Sequence, residues 1–344
     1  MGLRDEIGEQ PDVVARLIGR SAEIEAIARA VRDRDIEHVV IAARGTSDHA
    51  AIYAQYLFGI RMRLLVALAA PSIVSLYHVE PVFSRSLVIG ISQSGASPDV
   101  VGVVDAARRQ GRPTIAITNE PGSPLATAAE HVIDLGAGPE RAVAATKTYT
   151  AELTAIALLV AALGADATAK TDLATLPAAI EAAMSAEAAA RDAAQAHAGM
   201  RTCTVLGRGF EYATAREWSL KLKELAHVVA DPYSAADFRH GPLALVERGY
   251  PVLAVATSGA VAADLMDLLR EIREDFGADL VVVSDREDVR ALGQRSIAVP
   301  SGVPDHLAPI VSIVAGQLFA YHVTIARGLD PDAPRNISKV TLTT

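Results

Sequence analysis

The stretch Leu87-Val88-Ile89-Gly90-Ile91-Ser92-Gln93-Ser94-Gly95-Ala96-Ser97-Pro98-Asp99 decides the fold. An apolar run suited to a buried strand stops at small hydroxyl residues around a glycine. A helical pattern follows, carried by Val100, Val101, Val103 and Val104. The order is strand, tight turn, helix start. The turn offers the hydroxyls of Ser92, Ser94 and Ser97. Its free main-chain N–H groups lie at the positive end of a helix dipole, where a phosphate or other small anion can be held. Glycine lets the main chain approach such a ligand closely. On this segment alone, a plain N-capped helix after a strand reads the same way.

Working outward, the alternation continues on both sides. Residues 12–33 carry helical periodicity through Val13, Val14, Leu17, Ile18, Ile24, Ile27, Ala28 and Val31. A strand, His38 to Ala43, ends at Arg44-Gly45-Thr46-Ser47, with a helix expected from near Asp48. Further strands are expected at Leu64–Ala67, Ser86–Ile91, Thr114–Thr118 and His131–Leu135. Strands separated by helices imply a parallel sheet covered on both faces. The second half repeats the plan, with Thr202–Leu206 running into Gly207-Arg208-Gly209 and Pro251–Ala256 into Thr257-Ser258-Gly259. Arg44-Gly45 and Arg208-Gly209 stand 164 residues apart, as do Ser94-Gly95 and Ser258-Gly259, and Thr118-Asn119 and Ser284-Asp285 stand 166 apart. These landmarks predict a duplicated α/β domain. The expected division is an N-terminal helical segment at 1–34, a first domain at 35–165, a helical connector at 166–198, a second domain at 199–326 and a tail or lid at 327–344. The connector is Ala-rich, a helix-propensity signal without functional content, and has no Pro/Gly/Ser tract that would make it a loose linker.

Composition excludes several classes. Hydrophobic residues are 51% of the chain and aromatics 4%, so the cores must be built from Ala, Val, Leu and Ile. A net charge of −9 with no Lys/Arg block argues against a nucleic-acid partner. The single cysteine, Cys203, leads a strand-like run; it fits a reducing compartment and reads as a small core residue. The N-terminus is acidic and lacks the order of a signal peptide. The apolar runs from Leu153 to Gly164 and from Ile310 to Ala326 read as buried helices, the first too short to span a bilayer and the second interrupted by Gln317 and His322. A cytoplasmic protein without membrane or nucleic-acid partners is expected.

Lysine is scarce. Only Lys147, Lys170, Lys221, Lys223 and Lys339 occur, with arginine at every other basic position. A retained lysine can do what guanidinium cannot: lose its proton and form a Schiff base with a carbonyl. Lys221 and Glu224 stand three apart in the helical stretch Ala215–Val228 and share a face. Such a pair could move a proton between neighbouring carbons of an open-chain sugar; an ordinary solvent-facing ion pair has the same spacing. His240, in a loop marked by Gly241-Pro242, is suited to acid/base work near neutral pH, although loop histidines are often only turn residues. The histidines show no metal-ligand spacing, so neither a metal site nor a cofactor is expected.

Together these residues resemble the sugar isomerase (SIS) family, and within it the isomerase part of the glutamine–fructose-6-phosphate aminotransferases. The resemblance begins at Glu6-Ile7-Gly8-Glu9-Gln10-Pro11. It runs through Gly45-Thr46-Ser47, Ser92-Gln93-Ser94-Gly95, Glu140 to Lys147, Lys221-Leu222-Lys223-Glu224, His240-Gly241-Pro242-Leu243-Ala244-Leu245 and Pro334-Arg335-Asn336. It implies two tandem SIS domains, each a parallel five-stranded sheet flanked by helices in a flavodoxin-like three-layer arrangement. It also implies that Thr46, Ser47, Ser92, Gln93, Ser94, Ser97 and Ser338 hold the sugar phosphate and that Val143 lines the sugar pocket through its main chain. By the same resemblance Glu224 shuttles the proton between C1 and C2, Lys221 stabilises the enediol charge, and His240 from a neighbouring subunit opens the ring. Lys339 forms a Schiff base with the ketose, and the site is shared in a homodimer. Thr257-Ser258-Gly259 lacks the full serine loop, so one phosphate site per chain is expected.

Several departures from the family pattern bear on substrate and direction. The glutaminase part is not in this sequence, so glutamine hydrolysis is not expected. Arg44 stands where the synthases tend to carry cysteine, Asp237 where glutamate is usual, and Ser338-Lys339 where Ala-Lys is usual. The expected activity is deamination of glucosamine 6-phosphate to fructose 6-phosphate and ammonia. Other readings are a deglycase for sugar–amine adducts, an aldose–ketose isomerase on another sugar phosphate, an ammonia-dependent synthase subunit and a non-catalytic sugar-phosphate sensor.

Overall fold

A computed structural model of the protein describes residues 2–339. The chain divides into two compact units, each holding one five-stranded sheet. The first-sheet unit takes residues 12–140 and 147–174 together with Ser338 and Lys339; the second-sheet unit takes residues up to Pro11, 141–146 and 175–337.

In the first-sheet unit the strands are β1 (His38–Ala42), β2 (Leu65–Leu68), β3 (Ser86–Ile91), β4 (Thr114–Thr118) and β5 (His131–Asp134). Their order is β2-β1-β3-β4-β5, and every pair is parallel. β3 and β4 are buried at every residue, as apolar strands covered on both faces must be. Val88, Ala116, Val100, Val103, Val104 and Leu125 close one face of the sheet.

In the second-sheet unit the strands are β6 (Thr202–Gly207), β7 (Val229–Ser234), β8 (Pro251–Val255), β9 (Asp279–Ser284) and β10 (Arg295–Ala298). Their order, β10-β9-β8-β6-β7, is the first order read from the other edge, and every pair is again parallel. Two sheets with one strand order bear out the duplication. Val252, Ala254, Leu265, Leu268, Leu269, Ile272, Leu280 and Val282 form one packed cluster, with Phe238 its large aromatic.

Three boundaries differ from the sequence reading. The helical pattern over residues 12–33 is two helices, Gln10–Gly19 and Ser21–Arg32, broken at Arg20 beside a glycine of low helix propensity. The helix expected from near Asp48 begins at Thr46. The helix carrying Lys221 and Glu224 runs Glu211–Ala226 and stops because His227 turns left-handed, with φ of 55°. The Ala-rich join is helical, as Ala167–Ala174, Leu176–Met184 and Glu187–Ala196. The helix Ala308–Ala326 is long and apolar enough to cross a membrane by length and composition, but 89% of it is buried inside the protein.

Candidate functional site

In a parallel sheet of order 2-1-3-4-5, ligands bind beyond the carboxyl ends of the strands, where the order reverses. In the first sheet that point lies between β1 and β3. β1 delivers Arg44-Gly45-Thr46-Ser47 there, and β3 delivers Ser92 to Ser97. The serine loop is fixed by its own main chain. The Gln93 carbonyl accepts from Asn119 N–H at 3.0 Å and from the Thr118 hydroxyl at 3.2 Å. Gly95 N–H donates to Ser92 Oγ at 3.2 Å. Gly95 has φ of 59°, and a Cβ there would lie 2.0 Å from Ser123 Oγ, so only glycine fits. Pro98 opens the following helix and Ser97 stands as its N-cap without spending its hydroxyl on the cap. Ser94 Oγ accepts from Ala96 N–H at 3.3 Å, and Gln93, Ser94 and Ser97 are all half-buried. The result is a loop at a helix N-terminus, closed by its own main-chain hydrogen bonds, with serine hydroxyls around it.

Two neighbours modify this cradle. Ser47 is buried and its hydroxyl donates to Glu152 at 2.8 Å, so Ser47 has its main-chain N–H rather than its hydroxyl to offer an anion. Arg44 clasps the fully buried Asp99 through Nε and Nη2, both 2.8 Å from one carboxylate oxygen. That pair ties the end of β1 to the start of the helix after β3.

The described tail ends on the first-sheet unit. Lys339 Nζ lies 2.6 Å from Glu140, whose buried carboxylate also accepts the main-chain N–H of Thr148 at 3.1 Å and its hydroxyl at 2.8 Å. Ser338 beside it is exposed. Lys147, at the start of the next helix, is fully buried with its ammonium on the Pro139 carbonyl at 2.8 Å.

The second-sheet unit holds the Lys221–Glu224 pair. Along the helix Glu211–Ala226, Lys221 Nζ lies 2.7 Å from Glu224 and 3.2 Å from Glu217. Lys221 and Glu217 have no exposed side-chain surface, while Glu224 keeps 22%. This is no solvent-facing pair. Burial pulls the Lys221 ammonium down, but the two carboxylates outweigh it and raise its pKa above the ordinary lysine value. Lys221 is therefore a fixed cation that aims Glu224 toward the surface. Glu217 is the residue the sequence reading missed; its spacing of four from Lys221 is a signal that could have found it.

Val143 is half-buried in the segment 141–146. The N-terminal motif explains how that segment is held. The buried Glu6 carboxylate accepts Ala142 N–H at 3.2 Å, and Gln10 donates to Gln317 at 2.8 Å, which in turn reaches the Thr146 carbonyl at 3.4 Å. His240 stands apart from the pair, exposed, directly after the short helix Ala235–Arg239 and not within a long loop.

The switch point of the second sheet is filled from within. Ser258 donates to Asp285 through its main-chain N–H at 2.7 Å and its hydroxyl at 2.6 Å. Buried Glu211 accepts from the hydroxyls of Thr257 and Ser312, each at 2.8 Å. Burial raises the Glu211 pKa, its hydrogen bonds oppose that, and the charge of Asp285 adds to it. Carboxylates of the chain itself thus engage both Thr257 and Ser258.

Comparisons with known proteins bear on the family and the fold. The family model of the SIS domain matches residues 34–162 and again residues 199–327. The isomerizing glutamine–fructose-6-phosphate aminotransferase of Methanothermobacter thermautotrophicus is 35% identical over 340 residues, covering 97% of this chain and 56% of that protein. The chain thus spans about half the length of the curated relatives it matches. Among solved structures, a candidate phosphosugar isomerase from Silicibacter pomeroyi DSS-3 aligns with a TM-score of 0.85 at 34% identity, covering 96% of this chain and 100% of that one. The C-terminal domain of glucosamine-fructose-6-phosphate aminotransferase from Francisella tularensis aligns with a TM-score of 0.86 at 27% identity, covering 96% and 98%.

Proposed function

The chain belongs to the SIS-domain family, and from that premise we propose that it is a phosphosugar isomerase that deaminates glucosamine 6-phosphate to fructose 6-phosphate and ammonia. The observation that carries this reading is Glu224, a partly exposed carboxylate held at 2.7 Å by a fully buried ammonium. A fixed carboxylate of this kind is suited to carry a proton between adjacent carbons. The 344 residues hold one thiol, Cys203, which burial pushes up to about 12. A buried thiol of that kind is a poor nucleophile.

In this reading Ser92, Gln93, Ser94 and Ser97, with the main chain at Thr46 and Ser47, hold the phosphate, and Ser338 adds a contact. Val143 lines the sugar through its main chain. His240, supplied by a second copy in a homodimer, opens the ring; its exposure is what such a role requires. Glu224 takes the C2 proton and returns it at C1. The C2–N bond becomes an imine, water adds and ammonia leaves. Lys221 acts on the developing charge through the carboxylate it touches. After leaving Glu140, Lys339 condenses reversibly with the open ketose, losing one water, and hydrolysis of that imine returns the ketose and the free amine.

Purified protein is expected to release ammonia and fructose 6-phosphate from glucosamine 6-phosphate. Glu224→Gln is expected to lower turnover at least about a thousandfold, within the range of general acid–base catalysis, with phosphate-ligand binding retained. Normal turnover by Glu224→Gln would remove the shuttle. Ketose formed without ammonia would assign a plain aldose–ketose isomerase.

A further inference from the structure

The side chains assigned to the phosphate, those of Thr46, Ser47, Ser92, Gln93, Ser94 and Ser97, carry no charge. Several main-chain donors around them are engaged within the protein. Ser92 N–H donates to the Ile117 carbonyl at 3.1 Å, and Gly95 and Ala96 donate within the loop. At the opening of the next helix, Pro98 has no N–H to give. Val100 N–H donates to the Asp99 carboxylate at 2.9 Å, and Val101 N–H to the Ser97 carbonyl at 3.0 Å. The donors that a helix start ordinarily turns toward an anion are thus reduced. A doubly charged phosphate here calls for a cation.

Arg44 stands at this place. Its guanidinium reaches from the end of β1 to Asp99, the second residue of the helix Pro98–Arg109. The pair is oriented: Asp99 has no exposed side-chain surface, while Arg44 keeps 47%. The carboxylate faces the interior and the guanidinium faces out. Nε and Nη2 address Asp99, and Nη1 has no partner among the described residues. Asp99 thus holds the guanidinium in place before a ligand arrives, which removes an ordering cost from binding. Donors remain for a phosphate, whose oxygens match the planar guanidinium. A Cβ at the adjacent Gly45 would meet nothing within 4 Å, so there is open space beside Arg44. The second sheet carries a similar clasp with the opposite sense. Arg208 lies 3.0 Å from Asp264, and there the carboxylate is the more exposed partner.

We propose that Arg44 sets the charge specificity of the phosphate cradle: its guanidinium, held by Asp99, supplies the positive charge by which the site selects a phosphate dianion over a singly charged ester. The proposal rests on the phosphate lying at the serine loop, as in the proposed function.

The probes are D-glucitol 6-phosphate, an open-chain analogue with no carbonyl to react, and D-glucitol 6-sulfate, its singly charged isostere. Both are titrated by calorimetry at about pH 8, where a phosphate monoester is a dianion. The unaltered protein is expected to bind the phosphate at least about tenfold more tightly than the sulfate, the scale of one charge-assisted hydrogen bond. Arg44→Gln is expected to bring that ratio to within about threefold of one, and Arg208→Gln to leave it unchanged. Arg44→Gln also strands the buried Asp99 charge, so the double variant Arg44→Gln/Asp99→Asn is measured beside it, with the same loss expected. A ratio restored in the double variant would mean that Arg44 only masks Asp99, and would overturn the proposal. An unaltered-protein ratio near one, or a ratio that Arg44→Gln does not move, overturns it as well and leaves the deamination reading standing. If the unaltered protein binds neither probe the proposal falls, and the deamination reading falls with it only if glucosamine 6-phosphate also yields no ammonia.

Discussion

Lys221 is the residue on which two carboxylates depend. Removing one partner of a buried ion pair strands the other charge, at about 3–5 kcal/mol. Lys221→Met is therefore expected to lose that much stability in denaturant unfolding and to lose turnover with it. Adding Glu217→Gln to the same chain should recover part of the stability and none of the activity. The spacing of Lys221 and Glu224 was legible because helix geometry makes residues three apart neighbours. The partner of Lys339 was not, since Glu140 lies 199 residues away and nothing local marks it. A second residue sets the acid limit. Hydrogen bonding from Arg4, against an opposing burial cost and with help from His322, lowers the Glu187 pKa to about 2. A depressed carboxylate contributes stability that is fully present above its unfolded value of 4.5 and is lost as pH falls through about 2. Circular dichroism between pH 5 and pH 2 should show Glu187→Gln less stable at neutrality and less steep in its acid transition.

Among the elements, the strand-to-helix turns were the most readable, because an apolar run ending in Gly and Ser has few other uses in a parallel sheet. Helix lengths were less so: apolar periodicity runs on through Arg20, and only the packed chain reveals the break there. The second turn, at Thr257-Ser258-Gly259, was legible as lacking the full serine loop. The carboxylate that engages Ser258 there was not, because Asp285 comes from the end of a different strand. Asp285→Asn is expected to cost about 1–3 kcal/mol, since two Ser258 donors lose an ionised acceptor. Equilibrium dialysis of the unaltered protein with glucosamine 6-phosphate should give one equivalent per chain. Two equivalents would show that Asp285 does not close the second turn.

For the whole molecule, the offset of 164 residues announced the duplication, and the shared strand order bears it out. The exchange of segments was not legible. Residues 141–146 join the second-sheet unit and Lys339 joins the first-sheet unit, because loop and tail follow their hydrogen-bond partners and not their place in the sequence. The proposed sharing of His240 between copies makes a quantitative expectation. Glu224→Gln and His240→Asn chains, each inactive alone, should regain roughly a quarter of wild-type activity when refolded together, since half the dimers are mixed and each mixed dimer has one intact site. No recovery, with dimers confirmed by ultracentrifugation, would place both residues in one chain's site. The Lys339–Glu140 bridge has a further consequence. An amine engaged at 2.6 Å by a buried carboxylate is sterically and electrostatically withheld from stray aldehydes, so glycating and acylating reagents should spare Lys339 until a ligand draws it off. In the proposed reading, the amine that condenses with the sugar is thereby held in reserve between turnovers.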